Sequence, residues 1–125
     1  MTESSIRVMV VDDEEMVRLS LTDFLEDEGF IVYSASKDTE VMEILEESSV
    51  DVAIIDMRLP GVDGNALIQK VNDIRPEMKF LIHTGTTDYS LPISLKDMGI
   101  KREHVFKKPL MDMNIIVDAI KSVVV

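Results

Sequence analysis

The sequence predicts a doubly wound α/β domain, with five parallel strands covered by helices on both faces. Three observations carry this. Apolar runs of strand length alternate five times with amphipathic helical stripes. The strand runs are apolar throughout instead of alternating, as strands buried on both faces must be. The chain has 125 residues, enough for one domain around one core.

The first strand is Ile6 to Val11, broken only by Arg7, and it stops at Asp12-Asp13-Glu14-Glu15. Those acids stand where a helix begins. Val17, Leu21, Phe24 and Leu25 then fall on one helical face, and Gly29 sits where a C-terminal cap belongs. Phe30 to Ala35 is a second, β-prone segment, followed by a helix from near Ser36 to Asp38 with the stripe Val41, Ile44 and Leu45. The third strand, Val52 to Asp56, is the most apolar and ends on a carboxylate.

Pro60-Gly61 and Asp63-Gly64 predict a turn-rich loop, and Leu67, Val71 and Ile74 a third helix that Pro76 closes. Lys79 to Thr84 reads as the fourth strand. The fourth helix, Ser90 to Met98, has a thin stripe of Leu91, Leu95 and Met98 and carries Pro92 in its first turn. Val105 to Lys107 is a short fifth strand ending at Lys108-Pro109. Ile115, Ile116, Ala119, Ile120 and Val123 mark the last helix. Residues 1–5 are expected to form a flexible tail ahead of a single domain.

Composition narrows the function. Thirteen basic and 24 acidic residues give a formal charge of −11, which argues against direct nucleic-acid binding and against anionic lipid. Zero cysteines exclude a disulfide scaffold and a thiolate metal site. The N-terminus carries no signal-peptide pattern, and no apolar run approaches the roughly 20 residues of a membrane span. A cytoplasmic location is expected.

Ligands of such sheets bind at the carboxyl ends of the strands. Here those ends carry Asp12 and Asp13, Asp56, Thr84 and Lys108. Three carboxylates gathered in a partly buried site require positive charge, which Lys108 and a divalent cation would supply. An all-oxygen site suits Mg²⁺, leaving Asp56 free to attack phosphorus while Lys108 and the Thr84 hydroxyl stabilise the equatorial oxygens. Taken singly, Asp12 and Asp13 are also plausible helix-capping acids, Asp56 and Thr84 turn residues, and Lys108 a surface lysine. His83, with no second His or Cys beside it in sequence, reads as a packed or hydrogen-bonded imidazole instead of a metal ligand.

Val10-Val11-Asp12-Asp13-Glu14, Asp56-Met57-Arg58-Leu59-Pro60 with Asp63-Gly64, Thr84-Gly85 and Lys108-Pro109 together resemble the receiver domains of two-component response regulators, over nearly the full chain. The resemblance implies a flavodoxin-like sheet of strand order 2-1-3-4-5. It implies that Asp56 accepts a phosphoryl group from a histidine of a sensor kinase or phosphotransfer protein. Asp13, Asp56 and the backbone carbonyl of Arg58 would hold Mg²⁺, with Asp12 acting largely through water. Thr84 and Lys108 would contact the phosphoryl oxygens and alter a face built from helix four, strand five and helix five, which signals to an output protein or domain.

Two departures accompany the resemblance. Receivers usually carry Tyr or Phe three residues before the strand-five lysine, where this chain has Val105; strand parity points Phe106 to the core instead. Arg58 and Thr86 occupy positions that in this family tune the lifetime of the acyl phosphate. An Arg58 guanidinium lying over the site would obstruct water and predicts slow self-dephosphorylation; one pointing to solvent would not. Competing readings are a Mg²⁺-dependent phosphohydrolase of the haloacid-dehalogenase type, which would want an acid where Arg58 stands, an FMN carrier, and a receiver cut from a larger regulator or hybrid kinase.

Overall fold

The computed structural model describes residues 6–85 and 89–124. The proposed N-terminal tail, 1–5, and Thr86 lie outside them. In chain order the elements are β1 (Arg7–Val11), α1 (Glu15–Asp27), β2 (Ile31–Ala35), α2 (Asp38–Glu47), β3 (Val52–Ile55), β4 (Arg58–Leu59), β5 (Val62–Asp63), α3 (Gly64–Ile74), β6 (Lys79–Thr84), α4 (Ile93–Asp97), β7 (Val105–Lys107) and α5 (Asn114–Val124). A 3-10 turn at Arg102–His104 leads into β7.

Five strands form one parallel sheet in the order β2-β1-β3-β6-β7. With the two-residue antiparallel pair β4/β5 set aside, this is the expected 2-1-3-4-5 order. The central strand β3 is buried along its whole length, whereas the edge strand β2 exposes Ile31 and Ser34. Strand parity divides the core in two. Met9, Val11, Ala53, Ile55, Phe80 and Ile82 face α2, α3 and α4. Val8, Val10, Val52, Ile54, Leu81 and Phe106 face α1 and α5. Phe106 therefore points to the core as its parity requires, and Val105 packs half-buried on the opposite face.

The helix ends follow local chemistry. Gly29 takes φ +100° just beyond α1, the left-handed conformation of a helix stop. Three expectations need correction. The fourth helix is shorter, and Pro92 precedes it in an extended conformation (φ −63°, ψ 151°) instead of sitting in its first turn. The ring of Pro92 disfavours helical backbone at Leu91, so no helix can begin at Ser90. In α3 the inward face is Leu67, Ile68 and Val71, with Ile74 46% exposed at the last turn. In α5 it is Ile116, Val117 and Ile120, with Ile115 turned outward.

Candidate functional site

The carboxyl edge of the sheet assembles the predicted residues, and the backbone fixes them there. One residue past each strand, the amide still donates to the neighbouring strand: Asp12 to the Ala35 carbonyl at 3.0 Å, Asp56 to Val11 at 2.9 Å, Lys108 to Thr84 at 2.9 Å. The ladder thus continues into the site. Side-chain oxygens then shape the turns that follow. Asp12 Oδ1 accepts from the Glu14 amide at 2.9 Å, and Asp56 Oδ1 from the Arg58 amide at 3.0 Å.

Gly64 permits a second close approach. A Cβ at this position would lie 2.7 Å from the Met57 Cα, so only glycine lets the start of α3 pack on the residue that follows Asp56. The sequence reading assigned Gly64 to a turn. Its larger role is to hold the Asp56-Met57-Arg58 segment against α3.

The charges converge. Asp12 and Asp56 are 2% and 3% exposed, and Asp13 stands exposed beside them. Each of the three offers a carboxylate oxygen within 4.8 Å of the others. Lys108 Nζ lies 2.8 Å from Asp12 Oδ2, 3.0 Å from Asp56 Oδ2 and 2.7 Å from Glu14 Oε1. Burial works against the charge on Lys108, but its hydrogen bonds to Asp12, Glu14 and Asp56 outweigh it and push the pKa up. Burial also raises Asp12, only partly offset by Lys108, while the same ammonium lowers Glu14.

Four carboxylates around one ammonium leave an excess of negative charge, partly buried. Oxygen donors that cluster this closely, with a formal surplus of charge, fit a small hard dication. The opening above Asp56 is a cavity of about 300 Å³ lined by Asp13, Glu14, Asp56, Arg58, Gly85 and Lys108. Arg58 is exposed and contributes to this lining. Thr84 is fully buried at the end of β6, on the core face opposite His83, and does not line the cavity.

The structure brings Asp13, Asp56, Arg58 and Lys108 to one mouth, with Asp12 buried beside them against Lys108. Glu14 had no expected role, because its pairing with Lys108 spans 94 residues and leaves no local signature. His83 is 6% exposed and, among the described residues, neither ring nitrogen has a hydrogen-bond partner. Burial, reinforced by Lys108, lowers its pKa to about 4, so the ring is neutral near pH 7. It is a packed imidazole, without the hydrogen bond that was its other expected state.

Comparison with known proteins completes the picture. The family model described as response regulator receiver domain matches residues 8–121. The chain belongs to this family. The receiver is similar to sporulation initiation phosphotransferase F of Bacillus subtilis (strain 168), with 25% identity over 116 residues, 93% of this chain and 91% of that protein. It is 32% identical over 83 residues to sensor kinase CckA of Brucella abortus (strain 2308), which covers 65% of this chain but 9% of the relative. A response regulator receiver domain protein from Clostridium thermocellum shares the fold at a TM-score of 0.82, with 27% identity, 96% of this chain and 94% of that one covered. The family match decides against the phosphohydrolase and FMN-carrier readings. Among the described residues no helix is long and apolar enough to cross a membrane.

Proposed function

We propose that this receiver accepts a phosphoryl group on Asp56 from a histidine of a sensor kinase or phosphotransfer protein, with Mg²⁺ as cofactor. The observation that carries this reading is the Lys108 ammonium 3.0 Å from Asp56 in a site where Asp12 and Asp13 add two further carboxylates. Similarity to a phosphotransferase and to a sensor kinase supports the choice of donor. A cytoplasmic location belongs to the same reading.

Asp13, Asp56 and the Arg58 carbonyl would hold Mg²⁺ directly and Asp12 largely through water. An ion held there would neutralise charge on the phosphoryl oxygens. The chain's own residues do the rest. An Asp56 carboxylate oxygen attacks phosphorus, the donor's N–P bond breaks, and the imidazole nitrogen leaves with the bonding pair. Lys108 moves its ammonium from the carboxylates toward a phosphoryl oxygen, a charge-assisted hydrogen bond in a water-poor site. The β3 backbone holds Asp56 rigidly through the attack.

Thr84 starts fully buried, so its hydroxyl would reach the phosphoryl group only as the segment after β6 moves inward. That movement is the proposed switch, and it alters the face built from α4, β7 and α5 toward an output partner. Val105 brings no ring to this face. Tyr89 does, packed half-buried against the same core cluster as Val105. We assign Tyr89 the aromatic role there.

Treatment with acetyl phosphate and Mg²⁺ followed by intact-mass measurement tests the reading. A single phosphoryl adduct, absent without Mg²⁺ and absent in Asp56→Asn, is expected. An adduct that persists in Asp56→Asn would overturn it.

A further inference from the structure

Among the described residues the buried polar and charged side chains are Asp12, Asp56, Thr84 and His83. The first three belong to the phosphoryl site or to its proposed switch. His83 has no part in either, yet both of its ring nitrogens are buried without a hydrogen-bond partner. A buried polar group left unpaired costs stability and calls for an explanation.

The His83 ring lines a cavity of about 570 Å³, larger than the opening above Asp56. Met16, Val17 and Leu21 of α1 supply apolar surface from one element, Leu110 and Met113 from the segment ahead of α5. Small-molecule sites run from about 300 to 1,000 Å³ and combine apolar walls with a few polar groups, which is the composition found here. Charge at the rim is already committed. Lys108 pairs with Glu14 at 2.7 Å and with Asp12 and Asp56 besides, and burial keeps the His83 ring neutral near pH 7. An occupant therefore meets no uncommitted ion. It meets a neutral imidazole, which both donates and accepts, and two thioethers, which pack favourably on aromatic rings. Met16, 80% exposed, has the unbranched, flexible side chain needed to fold over such a ring.

We propose that this cavity binds an uncharged aromatic small molecule bearing a hydroxyl or amide group, with its ring against Met16 and Met113 and its polar group hydrogen-bonded to the His83 imidazole. An anionic ligand fits poorly, because the chain carries a formal charge of −11 and the one ammonium at the rim already serves three acids. The cavity shares Glu14, Gly85 and Lys108 with the mouth above Asp56, so its occupant tunes phosphorylation of Asp56. That tuning rests on the phosphoryl-acceptor reading; the binding itself does not.

The probe is 2-naphthol, with 2-naphthoate as its anionic counterpart. Binding is followed by NMR on protein labelled at the methionine methyls, where Met16 and Met113 report on the cavity and Met9 and Met78, buried in the other core cluster, are controls. 2-Naphthol is expected to shift the Met16 and Met113 methyls, leave Met9 and Met78 in place, and bind with a Kd below about 1 mM, at least about fivefold tighter than 2-naphthoate. His83→Leu should weaken binding about fivefold, and His83→Gln, which keeps a donor and an acceptor, should restore most of it. Where His83→Leu fails to fold by circular dichroism, Val17→Phe, which narrows the cavity, replaces it and should weaken binding likewise. At a probe concentration near the wild-type Kd, the rate of Asp56 phosphorylation by acetyl phosphate and Mg²⁺ should change at least about twofold, and by less in the weakened variant. Shifts spread over all four methionines, equal binding of the two naphthalenes, or undiminished binding in the variant overturns the site. Methyl shifts that grow with protein concentration in the absence of probe make a second copy of the chain the occupant and overturn it too. Binding with an unchanged phosphorylation rate overturns the tuning alone. Binding to a protein that takes up no phosphoryl group removes the phosphoryl-acceptor reading and the tuning with it, while the ligand site stands.

Discussion

Lys108 lies closer to Glu14, at 2.7 Å, than to Asp56, at 3.0 Å. Glu14 is the exposed partner of the two, its side chain 58% accessible against 4% for Asp56. The ammonium proposed to turn toward an incoming phosphoryl group is therefore held in part by an acid outside the proposed reaction. An exposed pair of this kind is worth at most about 1 kcal/mol. Glu14→Gln is expected to speed phosphorylation of Asp56 by acetyl phosphate by about two- to fivefold, followed by stopped-flow or quenched mass measurement. A slower reaction would mean that Glu14 positions Lys108 for transfer instead of restraining it.

Arg58 lines the cavity above Asp56. A guanidinium lying over that cavity would obstruct the water that hydrolyses an acyl phosphate. Arg58→Ala should shorten the Asp56-phosphate lifetime in Mg²⁺ by about tenfold, equivalent to about 1.4 kcal/mol of barrier. A lifetime that barely changes assigns the side chain to solvent.

Gly64 has no room for a methyl group against Met57. Because the nearest atom is backbone, relief requires a shift of the chain between Asp56 and Arg58. Gly64→Ala should destabilise the fold by about 1–3 kcal/mol in urea unfolding and also slow phosphorylation of Asp56. Lost stability with an unchanged phosphorylation rate would show that the strain is absorbed within α3.

His83 gives a pH dependence with a definite sign. Burial pushes its pKa down to about 4 in the folded chain, from the 6.5 of a solvated imidazole in the unfolded one. The unfolded chain takes up this proton first as the solution is acidified. The stability from the neutral ring is present above pH 6.5 and lost as pH falls through about 4, up to about 3 kcal/mol. Between pH 7 and pH 4 the wild type should lose more stability than His83→Leu by up to that amount. An NMR titration in which the His83 ring protonates near pH 6.5 would refute the assignment.

Much of this was legible in the sequence, and the exceptions have physical causes. The bounds of β6 follow from the run Lys79 to Thr84, whose last five residues are buried, while β7 runs from Val105 to Lys107 as expected with Phe106 alone of its three residues buried. Asp12, Asp56 and Lys108 were placed by the same runs, each standing one residue past a strand end. The α4 helix was overextended because its thin stripe said less than the backbone restriction before Pro92. Ile74 and Ile115 fit helical periodicity, yet the sheet beneath α3 and α5 is met by Ile68 and Val117. Glu14 and Gly64 act through contacts with residues distant in sequence or packed across a turn, and periodicity carries no trace of either.

The amides of Asp12, Asp56 and Lys108 are bonded into the same ladder as the core strands. In hydrogen exchange those three amides should therefore be as slow as the sheet itself, opening only when the sheet opens. A donor protein meets a site whose main chain has already lost its freedom during folding, so capture of the phosphoryl group spends little entropy on ordering it. The signal then has to leave by side chains and by the segments between elements, while the posts that carry the chemistry stay still.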